Sequence, residues 1–226
     1  MRLSIIIPTL DEAEGIETTL TALAGMRSRG AQIIVVDGGS EDGTAGIAAH
    51  AADVVMGAPR GRALQMNAGT QAAKGNALLF LHADSVPPPQ ADEYVLHALG
   101  EGKRCWGRFD VHIAGANPLL RLVAMLMNWR SRLTGIATGD QGMFMTRTAF
   151  EAVGGFPAIP LMEDIAMSRA LKALSRPACI RERIATSGRR WERQGVLRTI
   201  ALMWRLRAAY FFGADPARLA LRYRER

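Results

Sequence analysis

Short, uninterrupted apolar runs alternate with helix-like segments through the first hundred residues. The apolar runs lie at 3–7, 32–37, 52–57 and 76–84, and the helix-like segments lie near 12–28, 42–50 and 61–74. The runs are apolar along most of their length instead of at every second residue, which is typical of strands covered on both faces. Their alternation with helices predicts an α/β fold, with a mainly parallel Rossmann-like sheet and helices on both faces.

Polar residues collect where these strands end. The four strands are followed by PTLDE (8–12), DGGSEDGT (37–44), APRGRALQMNAG (58–69) and HADS (82–85). Right-handed crossovers place the carboxyl ends of parallel strands along one edge of the sheet, where open α/β sheets bind ligands. Asp11 and Asp42 taken singly are plausible helix caps, and the glycines at 38–39 a plausible turn. Together on one edge, these loops favour a polar pocket.

The pattern changes after residue 100. CWGRFDVHI (105–113) alternates in part, which predicts a half-exposed strand, and residues 117–133 predict a helix that opens at Asn117 and Pro118. GDQGMFMTR (139–147) predicts a loop entering a short strand, and LMEDIAMSRALKAL (161–174) a loop followed by a helix. Because no Pro/Ser-rich linker interrupts the chain, we expect a single domain over 1–226. Its parts are two functional halves, 1–100 and 101–195, and a basic amphipathic helical extension, 196–226.

These motifs, in this order and spacing, resemble those of family 2 glycosyltransferases with the GT-A fold. The resemblance covers about residues 1–195 and includes VVDGGSEDGT, RGRALQMNAG, LFLHADS, GDQGMF and PLMEDIAMSRAL. It implies an inverting glycosyltransferase that moves a sugar from a nucleoside diphosphate sugar to an acceptor hydroxyl, with a UDP-sugar as the expected donor. It also implies a divalent cation, Mg²⁺ or Mn²⁺, and divides the chain into a nucleotide-sugar and metal half and an acceptor half.

The resemblance assigns the donor side of the site to the first four loops. The residues implied to bind the nucleotide sugar are Pro8, Thr9, Leu10, Glu12, Asp37, Gly39, Ser40, Asp42, Arg60, His82, Ala83 and Asp84. HAD stands in the place of the family's Asp-x-Asp motif, so Asp84 is the implied metal ligand. A metal and a diphosphate would compensate a carboxylate at the end of a buried strand, which is otherwise costly. His82 replaces the first aspartate and is open to four roles: metal ligand, ribose contact, contact with water alone, or a structural histidine with its hydrogen bonds satisfied inside the protein.

The same resemblance places the reaction in the second half of the chain. Asp164 matches the catalytic base of the inverting members, which takes the acceptor's proton as the hydroxyl attacks the anomeric carbon. The alternative role for Asp164 is a helix cap. The implied acceptor-side residues are Asp140, Gln141, Glu163, Arg189, Arg190 and Trp191. For Asp140 and Gln141 a purely structural loop is the alternative, and for the arginines a solvated basic face.

Two other classes of function stay open on the sequence alone. A nucleotidyltransferase also uses a parallel sheet and a metal-bound carboxylate, but the glycine-rich phosphate loop expected after the first strand is replaced by PTLDE. A non-catalytic nucleotide-sugar-binding protein would explain His82 in place of an aspartate, whereas Asp84 and Asp164 argue against it. Nucleic-acid binding would rest on charge alone, since no recognition motif accompanies the basic residues.

Charge and composition bear on where the protein acts. The formal net charge is +7, and arginines are dense after residue 180. Residues 195–213 predict a helix with one apolar side formed by Leu197, Ile200, Ala201, Trp204, Ala208 and Phe211. This side either packs on the domain or lies on an anionic membrane, which would suit a lipid-like or cell-envelope acceptor. Two cysteines, no signal-like start and no run of eighteen apolar residues predict a cytoplasmic protein, peripheral on the membrane at most. The oligomeric state is not indicated.

Overall fold

One eight-stranded sheet runs through the protein. The computed structural model describes residues 1–224, apart from the side chains of Arg190 and Arg224. The strands are β1 Leu3–Thr9, β2 Gln32–Asp37, β3 Val54–Gly57, β4 Ala77–Phe80, β5 Ser85–Val86, β6 Trp106–Ala114, β7 Met143–Thr146 and β8 Ala178–Ser187. Their order across the sheet is β3-β2-β1-β4-β7-β6-β8-β5. The predicted α/β fold with a mainly parallel sheet is confirmed.

Ten helices and one short 3₁₀ turn surround the sheet in the described residues. The helices are α1 Ala13–Ser28, α2 Thr44–Ala49, α3 Arg62–Ala72, α4 Ala91–Gly100, α5 Leu119–Thr134, α6 Arg147–Ala152, α7 Glu163–Leu174, α8 Arg189–Gln194, α9 Val196–Phe211 and α10 Pro216–Arg224. The 3₁₀ turn spans Gly139–Gln141. Two apolar clusters, one on each face, enclose the strands, with α1 and α4 contributing to one and α3 and α7 to the other.

The first half is the expected parallel arrangement, with β1 between β2 and β4. The structure corrects the end of the fourth strand, which stops at Phe80 and does not continue to residue 84. The chain turns there because the Ser85 amide donates to the His82 carbonyl, 3.1 Å away. His82 and Asp84 therefore lie on a tight turn beyond the carboxyl edge of the sheet, not within a strand.

The second half joins the same sheet through antiparallel strands. β7 pairs antiparallel with β4 and with β6, and β8 runs parallel to β6. The expectation that 105–113 is half-exposed is wrong, because β6 lies between β7 and β8 and α5 packs against it. Trp106 and Phe109 are fully buried there. This strand is part of the core of the whole molecule.

The C-terminal extension packs onto the domain through the side of α9 opposite the one that the sequence highlights. Leu206 of α9 and Leu219 of α10 form a buried cluster with Met162 and Ile165 at the start of α7. Of the predicted apolar stripe only Ile200 is half-buried, and Leu197, Ala201, Trp204, Ala208 and Phe211 are exposed. The extension is therefore attached beside α7 and keeps an apolar face outward.

Candidate active site

A cleft of about 540 Å³ lies at the carboxyl edge of the parallel strands. Its walls come from the loop after β1, the turn after β4, the start of α3, the 3₁₀ turn, the start of α7, and the inner sides of α9 and α10. Of the residues that the sequence implicates, the cleft is lined by Pro8, Thr9, Leu10, Glu12, Arg60, His82, Ala83, Asp84, Asp140, Glu163, Asp164 and Trp191. The structure thus brings together residues from both halves of the chain.

The turn after β4 is held in place by α1 and β1. The Ala83 carbonyl accepts a 2.7 Å hydrogen bond from the buried Thr19 hydroxyl, and the Leu81 amide donates to the Ile6 carbonyl. Gly15 of α1 lies so close that an added Cβ would contact Ala83 and Asp84 at 3.5–3.7 Å. These contacts anchor the backbone that carries Asp84, so the position of this side chain in the cleft is set by the core.

Asp84 shares its part of the cleft with Glu12. Burial raises the pKa of Glu12, and the nearby Asp84 charge raises it further, while Arg189 acts in the opposite direction. Among the described residues, no three His, Cys, Asp or Glu side chains are grouped closely enough to hold a metal ion. Mg²⁺ and Mn²⁺ sites in phosphate-handling enzymes need only one or two carboxylates, since substrate phosphates and water complete the coordination. Asp84 beside Glu12 fits such an open site.

His82 is directed toward the 3₁₀ turn. Its Nδ1 lies 3.2 Å from Oδ1 of Asp140, and a Cβ on Gly139 would come within 2.4 Å of its Nε2. Both ring nitrogens therefore face Gly139 and Asp140. The ring thus links the turn after β4 to the 3₁₀ turn, and the metal-ligand role of His82 stays a prediction.

Asp164 sits in the second helical position of α7, with its carboxylate held by backbone amides. The Gly139 amide donates to Oδ2 at 3.0 Å and the Ile165 amide donates to Oδ1 at 2.7 Å. Burial, followed by the charge of Glu163, raises the pKa of Asp164 to about 6. The two amide hydrogen bonds oppose this shift. A carboxylate with a pKa in this range accepts a proton more readily at neutral pH than an ordinary aspartate does.

The backbone before Asp164 adopts an uncommon conformation. Met162 has φ of 71°, in the left-handed region that residues other than glycine rarely adopt. Its side chain is buried with Ile165, Leu206 and Leu219, so packing against α9 and α10 holds this conformation in place. The position of Asp164 therefore depends on the C-terminal extension.

Sequence reasoning missed several residues of the cleft. Arg62 begins α3 directly after Gly61, whose φ of 145° suits glycine. Burial alone would lower the pKa of Arg62, but the surrounding negative groups, Glu163 foremost, outweigh it and raise the pKa. Gln65, one turn later, donates to the carbonyls of Thr9 and Val36. The sequence signal for both is their position just inside a helix that follows a glycine and another arginine.

The loop after β2 lies beside the cleft without lining it. The carboxylate of Asp37 accepts hydrogen bonds from the amides of Gly39 and Ser40 and from the hydroxyls of Ser40 and Thr9. Burial would raise the pKa of Asp37, but these hydrogen bonds lower it. Asp42 accepts from the Ala13 amide and from Thr44, which ties this loop to the start of α1. The loop after β2 thus supports the loop after β1, which lines the cleft. The residues involved are Asp37, Gly39, Ser40 and Asp42.

Of the remaining predicted acceptor residues, two line the cleft, two lie outside it, and the side chain of one is not described. Gln141 is fully buried, and its side chain contacts Thr138, Asn128 and Ser131, so it holds the 3₁₀ turn and does not reach the cleft. Arg189 pairs with Glu14 at 2.8 Å and with Glu12 at 3.6 Å, outside the cleft lining. The side chain of Arg190 lies outside the described part of the structure. Glu163 is buried at the cleft, and half-buried Trp191 lines it.

The sheet order and this cleft define a GT-A type of glycosyltransferase fold. The family model described as Glycosyl transferase family 2 matches residues 4–154, more than half of the chain. The chain therefore belongs to glycosyl transferase family 2. No curated protein sequence matches closely enough to count as a relative.

Solved structures with this fold share little sequence with the chain. S. aureus TarS 1–349 in complex with UDP-GlcNAc has a TM-score of 0.66 at 15% identity, over 83% of this chain and 58% of that chain. The mannosyltransferase PcManGT from Pyrobaculum calidifontis, in complex with GDP-Man and Mn²⁺, has a TM-score of 0.65 at 21% identity, over 92% and 60%. Glucosyl-3-phosphoglycerate synthase from Mycobacterium tuberculosis, with Mn²⁺, UDP and glucosyl-3-phosphoglycerate, has a TM-score of 0.61 at 20% identity, over 81% and 70%. The chain spans only about three fifths of the TarS fragment.

Proposed function

We propose that the protein is an inverting glycosyltransferase that moves a sugar from a UDP-sugar to an acceptor hydroxyl with the help of Mg²⁺ or Mn²⁺. The observation that carries the proposal is the arrangement of two carboxylates in one cleft. Asp84 lies on the turn after β4, and Asp164 lies at the start of α7 with a pKa raised to about 6. His82 and the Gly139–Asp140 turn connect these two places.

The donor lies along the loops after β1, β2 and β4 in this proposal. The base contacts Pro8, Thr9 and Leu10, and its N–H donates to Asp37. The four hydrogen bonds of Asp37 already use its acceptor sites. The longest of them, 3.3 Å from the Thr9 hydroxyl, is the one that a base would replace.

The diphosphate meets Arg60, Arg62 and the amino end of α3, where backbone N–H groups and the helix dipole favour anions. Asp84, with Glu12 beside it, would hold the metal, and a bound metal would neutralise charge on the departing diphosphate. The neighbours that bind UDP, UDP-GlcNAc or GDP-Man support a nucleoside diphosphate as the leaving group.

The chemical step requires a base on the acceptor side. As the acceptor oxygen bonds to the anomeric carbon, the bond from that carbon to the diphosphate breaks and the hydroxyl proton passes to Asp164. The amides of Gly139 and Ile165 orient the carboxylate for this transfer. Glu163 and Asp140 lie beside Asp164 and are the acceptor-side polar contacts, while Arg62 keeps a positive charge close to the departing diphosphate.

The wall of the cleft formed by α8, α9, α10 and the residues before α7 is largely apolar. It is lined by Leu161, Met162, Met203, Leu206, Ala220 and the aromatic residues Trp191 and Tyr223. Such a wall favours an acceptor that presents a hydroxyl next to an apolar or flat group. We therefore include a lipid-like acceptor in the proposed function.

A thermal-shift panel tests the donor side. Bound ligand raises apparent stability with the logarithm of its concentration over Kd. UDP-sugars with Mn²⁺ should stabilise the wild-type protein more than either component alone, and Asp84→Ala should lose this synergy. Glu151→Ala, an exposed carboxylate variant on α6, should retain it. Equal UDP affinity with Mn²⁺ in wild type and Asp84→Ala would refute the metal assignment.

Turnover of Asp164→Asn tests the base. We expect sugar transfer or donor hydrolysis to fall by roughly 10²–10⁴-fold with donor affinity little changed, since only proton acceptance is removed. Glu151→Gln serves as the matched carboxylate-to-amide control. Donor binding without any turnover by the wild-type protein, across acceptors and metals, would instead favour a non-catalytic nucleotide-sugar-binding protein.

A further inference from the structure

The exposed apolar side chains of this protein are concentrated on two helices. Of the fourteen large apolar side chains that are exposed in the described part of the chain, six lie on α5, three lie on α9, and Phe212 follows α9 directly. On α5 they are Leu119, Leu122, Met125, Leu126, Trp129 and Leu133, and on α9 they are Leu197, Trp204 and Phe211. Single exposed apolar residues need no explanation, but a concentration of this size marks an interaction surface.

The two helices contribute to one apolar cluster. Val196 and Ile200 of α9 belong to the same apolar cluster as Leu120, Val123 and Met127 of α5. At 100° per residue, Leu122, Trp129 and Leu133 fall on the side of α5 opposite this cluster. Leu197, Trp204 and Phe211 likewise share one side of α9, away from buried Leu206. We call these outward faces of α5 and α9, together with Phe212, the α5–α9 surface.

The two helices that form this surface carry charges of one sign. Neither α5 nor α9 contains an aspartate or glutamate, and each contains three arginines. Arg121, Arg198 and Arg205 are exposed next to the apolar residues. The side chains of Trp129 and Trp204 are 64% and 74% exposed. Tryptophan in the headgroup layer, with arginine reaching lipid phosphates, is the typical composition of helices that lie in a membrane interface.

We propose that the α5–α9 surface docks onto the face of an anionic lipid bilayer. No helix in the described residues is long and apolar enough to cross one, so the contact is lateral. Electrostatic complementarity favours the bilayer over a second copy of the chain: a two-fold dimer through this surface would bring arginines against arginines. An anionic bilayer supplies the opposite charge and an apolar layer within reach of the tryptophans.

Docking would also bring the cleft close to the membrane, because α9 lines the cleft with one side and belongs to the docking surface with the other. Thr199, Met203 and Arg207 on the inner side of α9 line the cleft, while Trp204 points outward. This consequence rests on the proposed glycosyltransfer to a lipid-like acceptor, whereas the docking itself does not.

Vesicle flotation with the full chain tests the proposal without any substrate. The wild-type protein should float with phosphatidylglycerol-containing vesicles, bind pure phosphatidylcholine far less, and dissociate as salt rises. Trp129→Gln and Trp204→Gln should each weaken binding by roughly tenfold. Arg198→Glu combined with Arg205→Glu should weaken it by at least about tenfold. Leu64→Gln on α3 and Lys103→Glu, both exposed outside the surface, are the matched controls and should bind as the wild type does.

Far-UV circular dichroism and melting curves check that each variant is folded, which its exposed position leads us to expect. Absence of binding at low salt, equal binding to neutral and anionic vesicles, or unchanged binding of both tryptophan variants would each overturn the proposal. Light scattering tests for self-association through the same surface. A wild-type dimer that the tryptophan substitutions convert to monomer, without vesicle binding, would make this surface a self-association interface and would also overturn the proposal.

Discussion

Asp164 carries a carboxylate where its charge is unfavourable. It is faced by Glu163 on its own helix, Asp140 on the 3₁₀ turn, Arg62 on α3 and Arg130 on α5. Burial and the neighbouring acids outweigh the favourable contacts, so the pKa in the folded protein is about 6. The unfolded chain has an aspartate pKa of about 4. The folded protein therefore binds more protons than the unfolded chain between these two values.

This difference predicts how stability depends on pH. Between about pH 4 and pH 6 the wild-type protein should lose on the order of 1–3 kcal/mol of unfolding free energy through Asp164 as pH rises. Asp164→Asn should lack this loss, so its unfolding free energy should rise relative to that of the wild type as pH rises. Urea unfolding of both proteins at about pH 4 and pH 8 measures it. A constant difference between wild type and variant across this range would contradict the raised pKa.

Gly139 offers a second prediction at the residue scale. An added Cβ would lie 2.4 Å from Nε2 of His82, and the Gly139 amide also holds Asp164. Gly139→Ala should displace the turn or the imidazole and lower turnover by roughly tenfold or more, since small misplacements at an active site are costly. Gly46→Ala on α2, where an added Cβ meets nothing within 4 Å, should keep full activity. Parallel steady-state kinetics of the two variants provide the comparison, and equal turnover would refute the steric argument.

The sequence is informative about individual residues where chemistry and strand ends coincide. Asp84 and Asp164 stand out because a carboxylate follows a buried strand or opens a helix, and both line the cleft. The partner of His82 is not evident, because Asp140 is far from it in sequence and meets it only through the fold. The structural role of Gln141 is hidden for the same reason, since its contacts with Asn128 and Ser131 depend on how α5 packs.

At the scale of elements, the strands β1 to β4 could be predicted and β8 could not. Continuous apolar runs mark the first four, whereas β8 carries Arg181, Glu182 and Arg183 in its middle. The orientation of α9 was also hidden. Its exposed side contains the large apolar residues Leu197, Trp204 and Phe211. Its packed side includes the polar residues Thr199 and Arg207, so the sequence points to the exposed side as the one that packs. Amphipathicity alone cannot indicate which side packs when the outer face is apolar too.

The packing of α9 leads to a prediction about this helix. Leu206 is buried against Met162 and Ile165, so Leu206→Ala should lower the unfolding free energy by about 2–4 kcal/mol. It should also lower turnover, because the left-handed conformation of Met162 and hence the position of Asp164 depend on this contact. Leu197→Ala on the outer side of the same helix should change stability by less than about 0.5 kcal/mol. Denaturant titration and kinetics without vesicles compare the two, and equal effects would show that α9 does not support α7.

At the scale of the whole molecule, one sheet connects the first half of the chain to the second. β4 pairs with β7, and Trp106 of β6 is buried in the same cluster as Ile6 of β1. We therefore expect the chain to unfold as one cooperative unit, not as separate halves. The four tryptophans, at positions 106, 129, 191 and 204, all lie in the second half or the extension, so their fluorescence reports mainly on these parts and, through Trp106, on the contact with the first half. Far-UV circular dichroism reports on every helix and strand. The two urea transitions should coincide, and UDP with Mn²⁺ should shift both by the same amount. A fluorescence transition at a different urea concentration would show that the first half of the chain unfolds separately from the rest.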